Sequence, residues 1–187
     1  MTDDYLILVD DKDQQWGKLE KQLVHQLGLL HRAFSVFIFN SKGELLLQQR
    51  ADEKYHSGGL WTNTCCSHPR FGEEMKDAIR RRLHEEMSIT CETAFAFSFT
   101  YKTTFENGLT EHEFDHVYFG ITDLLPVPQN SEVKAWRYLD LETLEKEIHQ
   151  HPENYTEWMK ICLPQVRSHF QYKYSQAESP VAMDNRR

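Results

Sequence analysis

The nearly unbroken apolar run Ala33-Phe34-Ser35-Val36-Phe37-Ile38-Phe39 constrains the fold more than any other segment. Its aromatic and β-branched content reads as a strongly buried strand. Turn residues Asn40-Ser41-Lys42-Gly43 follow, and Glu44 to Arg50 reads as the returning strand of a hairpin. Tyr5 to Val9 is a first strand closed by the turn-rich Asp10 to Asp13. Lys18 to Gln26 reads as a short strand or a loop. Ile79, Leu83 and Met87 recur at i, i+4 and i+8, which predicts a helix over 74–87 with one apolar stripe.

Further along, 94–104 and 113–122 read as strands around the turn Glu106-Asn107-Gly108. Pro126-Val127-Pro128 interrupts the chain, and 133–139 is a last strand. A helix over 141–149 would turn Leu141, Leu144 and Ile148 inward. A second, over 155–170, would be interrupted at Pro164. From Tyr172 the residues are polar and aperiodic, which predicts a frayed tail over 172–187. Strands mixed with a central helix and C-terminal helices give an α/β arrangement, an α+β sandwich with helices on both faces. A chain of 187 residues suits one domain, here 1–171.

A net charge of -8 argues against nucleic acid or an anionic membrane as the main partner. The N-terminus lacks a basic region followed by an apolar run, so no signal peptide is expected. No stretch approaches the ~18 apolar residues of a membrane span. Cys65, Cys66, Cys91 and Cys162 form neither a disulfide framework nor a CxxC motif. Free thiols fit a reducing cytosol, so a cytoplasmic location is expected.

Residues 51–69 have little apolar periodicity yet contain Gly58-Gly59, Trp61, Cys65-Cys66 and His68. A loop of that length in a compact domain is usually functional. His25, His31, His68, Glu111 and Glu113 are candidate ligands for one cation. Glu111 and Glu113, two apart on a strand, project from one face while His112 points away. Two such carboxylates repel unless a cation or proton lies between them. Taken singly, a histidine is more often a surface or core residue than a ligand. The spacing also matches no zinc signature, so composition alone does not make this case.

Arg82 and Glu86 are i, i+4 and share a helix face beside Leu83. A glutamate there can hold a divalent ion, and an arginine can meet a phosphate bidentately. By pattern alone, an exposed helix with i, i+4 ion pairs is the commoner case. The segment resembles the Nudix box through Glu73, Arg81, Leu83, Glu85 and Glu86. It departs at Ser67 (the opening glycine), Arg82 (an acid) and Ser88 (the closing glycine). In Nudix hydrolases the acidic cluster gathers magnesium for attack of water on a diphosphate. Arg82 in place of an acid removes a metal ligand and adds a phosphate binder, which favours holding a diphosphate without cleaving it.

The chain as a whole resembles the type I isopentenyl diphosphate isomerases, over about residues 5–165. The resemblance rests on Leu19-Glu20-Lys21 with His25, on His31 to Ser35, on Gln49-Arg50 with Lys54, and on Gly59 to Pro69. Phe99-Thr100-Tyr101, Glu111-His112-Glu113 and Trp158-Met159 complete it. It implies a Nudix-like mixed sheet flanked by helices, with an N-terminal extension and C-terminal helices. It also implies interconversion of isopentenyl and dimethylallyl diphosphate through a tertiary carbocation. Cys66 would stand on one face of the substrate and Glu113 with Tyr101 on the other, with Trp158 stabilising the cation. Lys21, Arg50, Lys54 and Arg82 would hold the diphosphate, with Mg2+ bridged through Glu86. One divalent ion (Mn2+, Mg2+ or Zn2+) would occupy the His/Glu site.

Cys65 would alternate to the other side as a packing residue. The implied partner is a small-molecule diphosphate, with no nucleic acid, no membrane and a monomeric state. A Nudix hydrolase of a nucleotide or prenyl diphosphate, and a catalytically silent metal- or diphosphate-binding module, are the alternatives. Arg82 argues against the first. Cys66, Tyr101, Glu113 and Trp158 argue against the second.

Overall fold

The structure, a computed structural model, describes the backbone of residues 5–177 and side chains to Gln171. The strands are β1 (Tyr5–Val9), β2 (Gln15–Glu20), β3 (His31–Phe39), β4 (Leu45–Arg50), β5 (Trp61–Thr62), β6 (Cys65–Ser67), β7 (Thr93–Thr104), β8 (Thr110–Ile121) and β9 (Val133–Leu139). The helices are α1 (Lys21–Leu27), α2 (Met75–Met87), α3 (Leu141–Gln150) and α4 (Glu157–Ala177), with a short 3-10 turn at Pro152–Asn154.

β3 is the spine of a mixed sheet. It pairs in parallel with β8 along its whole length, from His31↔Glu113 to Phe39↔Ile121. On its other edge it pairs antiparallel with β6 and touches β1 at Leu8↔His31. A strand covered on both faces must be apolar at every position, which explains the run at 33–39. Phe34, Val36 and Ile38 pack with Ile79, Leu83 and Met87 of α2. Phe37 and Phe39 pack on the opposite face with Leu144 of α3 and Met159 and Val166 of α4. Each fully buried side chain of this size contributes roughly 1.5–3 kcal/mol.

Five details differ from the sequence reading. The β3–β4 hairpin is paired only at Phe39↔Leu45, after which β4 leaves to pair with β9 and β5. That divergence opens a cleft between β3 and β4 that β6 and the 51–60 loop line. The segment 18–26 is the end of β2 followed by α1. The Glu20 carboxylate caps Gln22 N–H and Leu23 N–H, both at 3.0 Å, and Gly28 closes the helix at φ +63°. Residues 61–67 of the long loop form β5 and β6.

Pro164 does not interrupt α4. It removes one helical hydrogen bond, but Met159, Cys162, Leu163 and Val166 are buried around it and tertiary packing carries the helix through. The expected tail from Tyr172 begins inside α4, and 178–187 lie outside the described residues. Ile148 packs on the core as expected. No helix among the described residues is long and apolar enough to cross a membrane.

Candidate active site

Four elements converge on one buried polar group. α1 supplies His25, β3 begins with His31, His68 follows β6, and β8 supplies Glu113, the register partner of His31. One ligand atom from each lies within 4.8 Å of all the others. His31 Nε2 is 3.2 Å from His68 Nε2, and His68 Nε2 is 2.8 Å from Glu113 Oε1.

The Nδ1 atoms of His25 and His31 lie 2.7 and 2.9 Å from the Lys21 and Leu29 carbonyl oxygens. A carbonyl can only accept, so Nδ1 carries a hydrogen in both rings and each Nε2 is the nitrogen turned inward. His25 Nε2 is buried and meets no partner. Burial lowers the His25 pKa to about 4 and that of His68 to about 3, so both rings are neutral at ordinary pH. Burial opposes ionisation of Glu113, but hydrogen bonds with His31 and His68 outweigh it and hold the carboxyl below its usual range. Three imidazole nitrogens converging beside an ionised carboxylate fit a divalent ion, which would take the place of the ring hydrogens between them.

Glu111 lies on the same face of β8 but outside this group. Its Oε2 accepts from the Tyr101 hydroxyl at 2.8 Å, and its Oε1 is 2.9 Å from His56 Nε2. The same hydroxyl is 2.8 Å from Glu113 Oε2. One hydroxyl has one proton to give, so the two carboxylates need a further proton or a cation beside them. Sequence alternation anticipated this shared face.

Cys65 and Cys66 are register partners of Val36 and Ser35. Cys65 is fully buried in the core under α2, whereas Cys66 lines the cleft. β6 and β8 flank opposite edges of β3, so the Cys66 thiol and the Glu113 carboxylate reach the cleft from different sides. Burial pushes the Cys66 thiol well above its usual range, with Arg50 opposing. Arg50 Nη1 is 3.9 Å from Cys66 Sγ, and its guanidinium sits 5.2 Å from the Trp158 ring. Trp158 is buried and donates its indole N–H to Asn63 Oδ1 at 3.2 Å. Asn63 Nδ2 in turn donates to the Cys65 carbonyl at 2.7 Å.

Lys21, Arg50, Lys54 and Arg82 all face the same cleft. Arg82 donates to Glu85 at 2.8 Å, to Glu86 at 2.5 Å and to Glu132 at 3.0 Å. Lys54 pairs with Glu132. The second Glu86 oxygen accepts from Gln48 Nε2 at 2.8 Å. At the box's closing position Ser88 adopts φ +53°, the left-handed cap that glycine usually fills. Its hydroxyl is anchored on the Val127 carbonyl at 2.8 Å. Tyr55, His56, Gln48 and Glu132 also line the cleft, and no periodicity or spacing marks them in the sequence.

The fold and the acid-bearing helix define the class: a NUDIX domain family model matches residues 29–159. A crystal structure of a Deinococcus radiodurans protein superposes with a TM-score of 0.64 at 20% identity, covering 78% of this chain and 89% of that one. Two curated relatives narrow the class. The isopentenyl-diphosphate Delta-isomerase 2 of Aromatoleum aromaticum is 52% identical, over 89% of this chain and 88% of its own length. The isopentenyl-diphosphate Delta-isomerase of Pectobacterium atrosepticum is 47% identical, over 89% and 93%. The chain belongs to the isopentenyl-diphosphate Delta-isomerase family.

Proposed function

We propose that this chain interconverts isopentenyl and dimethylallyl diphosphate, with its own side chains moving protons at carbon and leaving the diphosphate whole. The observation that carries this reading is one cleft that combines the Cys66 thiol, the Glu111–Tyr101–Glu113 string and four cationic side chains.

The chemistry needs a proton added to one face of an unactivated alkene and another removed from the opposite face. Cys66 serves one face, and Glu113 with Tyr101 serves the other. Each acts as an acid in one direction and a base in the reverse. The tertiary cation between the two steps needs a partner that attracts it without bonding to it. The Trp158 ring supplies cation–π attraction of about 2 kcal/mol when desolvated. The buried side chains that line the cleft keep away water that would capture the cation. Lys21, Arg50, Lys54 and Arg82 hold the diphosphate, and Glu86 would bridge a magnesium to it.

His25, His31, His68 and Glu113, with Glu111 as a fifth ligand, would hold a divalent ion that neutralises the paired carboxylates and steadies Glu113. Manganese, magnesium and zinc all suit that mixed donor set. The reading is of a small-molecule enzyme that acts as a monomer in the cytoplasm.

Hydrolysis of the diphosphate is disfavoured by Arg82, a cation where the hydrolase pattern has an acid. Incubation of the purified protein with isopentenyl diphosphate and magnesium tests the reading. Dimethylallyl diphosphate without inorganic phosphate supports it; released phosphate selects a hydrolase, and neither product selects a silent binding module.

A further inference from the structure

His56 is 6% exposed and has no part in the roles described above. Its ring is fixed on three sides. It stacks on Phe105 with centroids 4.5 Å apart and an interplanar angle of 11°. Tyr55 meets it edge-on at 4.3 Å, and Nδ1 lies 3.2 Å from Ser57 Oγ. The remaining nitrogen, Nε2, faces Glu111 Oε1 at 2.9 Å.

Glu111 is therefore gripped at both oxygens, by His56 on Oε1 and by the Tyr101 hydroxyl on Oε2. A carboxylate with a donor on each oxygen has one orientation; without either donor it can turn. Carboxylates that serve a metal are commonly fixed by such outer partners, and removal of one typically costs 10–100-fold in metal affinity or activity. The packing around His56 is also more than a buried loop residue requires, because it fixes the plane of the ring and so the direction of Nε2.

We infer that His56 is a positioning residue: its Nε2–H orients the Glu111 carboxylate toward the divalent-ion site beside Glu113. This rests on the reading of Glu111 as the fifth ligand. The main-chain carbonyl of His56 also accepts from Arg50 Nη2 at 3.2 Å, a contact that side-chain substitution leaves in place.

The test titrates Mn2+ into the metal-free protein and follows the free-ion resonance signal. His56→Phe keeps the ring and its stacking but has no donor. His56→Gln keeps an N–H donor but loses the ring. His56→Phe should bind Mn2+ roughly 10–100-fold more weakly, with His56→Gln close to the unsubstituted protein. KM for isopentenyl diphosphate should change in neither, since the basic groups are untouched. Any other pattern of Mn2+ affinities overturns the proposal, and weak binding by His56→Gln alone would make the residue a packing element. Glu111→Gln, titrated alongside, separates the two readings. Native affinity in Glu111→Gln means the ligand reading itself has failed. Weak binding there with native affinity in His56→Phe means that only the His56 proposal has failed.

Discussion

The Arg82 guanidinium lies 2.5 Å from the Glu86 carboxylate, one turn apart on the same face of α2. The pair joins a cation suited to phosphate to an acid suited to magnesium, inside a segment that otherwise resembles a hydrolytic box. Arg82→Gln should raise KM for isopentenyl diphosphate roughly 10–100-fold, since a charge-assisted hydrogen bond contributes about 1.5–3 kcal/mol. It also leaves the buried Glu86 with less compensation, so the thermal midpoint should fall. Steady-state kinetics and a melting curve check both, and an unchanged KM would remove Arg82 from the diphosphate site.

The two adjacent cysteines should separate cleanly. Cys66→Ala and Glu113→Gln should each lower kcat by about 10²–10⁴, the usual worth of a positioned acid or base, in protein that still folds. Cys65→Ala should keep its turnover and lose about 1 kcal/mol of stability, because Cys65 is a fully buried packing residue. An equal loss of kcat in Cys65→Ala would undo the thiol assignment.

Acid should destabilise the metal-free protein. Burial holds His25 at about 4 and His68 at about 3, against ~6.5 in the unfolded chain. The folded state therefore binds fewer protons below pH ~6.5; stability is full above that value and falls as pH drops toward 4. Each ring contributes a slope of roughly 1.4 kcal/mol per pH unit. Asp115 opposes one of them: burial and the Glu113 charge keep its carboxyl protonated well above the usual range, which favours folding as pH falls. His116, also lowered by burial, adds to the two rings, so the net dependence keeps their sign. Urea midpoints should be lower at pH 5 than at pH 7, and equal midpoints would contradict the neutral-imidazole account.

Metal content should track the inward-facing nitrogens. His25→Ala and His68→Ala should each carry less bound metal by elemental analysis, because each removes one of four converging ligand atoms. Unchanged content in both would refute the ligand set.

The legible parts of the sequence were those with a short physical period. The two-residue alternation of β8 put Glu111 and Glu113 on one face, whereas β6 lay in a stretch read as loop and the separation of Cys65 from Cys66 came from the family resemblance. The apolar run at 33–39 and the Ile79–Leu83–Met87 stripe gave the spine and its covering helix. α1 was not legible, because seven residues show too little periodicity and its boundaries are set by the Glu20 and Gly28 caps. The cleft arises where β4 leaves β3 after one register pair, a tertiary choice made by the partner β9 nearly ninety positions away. His56, Gln48 and Glu132 enter the site through that divergence and the loop beside it, so no local pattern announces them.

Proton exchange at carbon with the diphosphate left intact is tested by one nuclear magnetic resonance experiment in D2O. Isopentenyl diphosphate and magnesium are incubated with the protein while carbon-bound deuterium and phosphorus are followed together. The account predicts dimethylallyl diphosphate that carries solvent deuterium in a methyl group, with both diphosphate resonances retained. Orthophosphate, or product formed without deuterium, would contradict it.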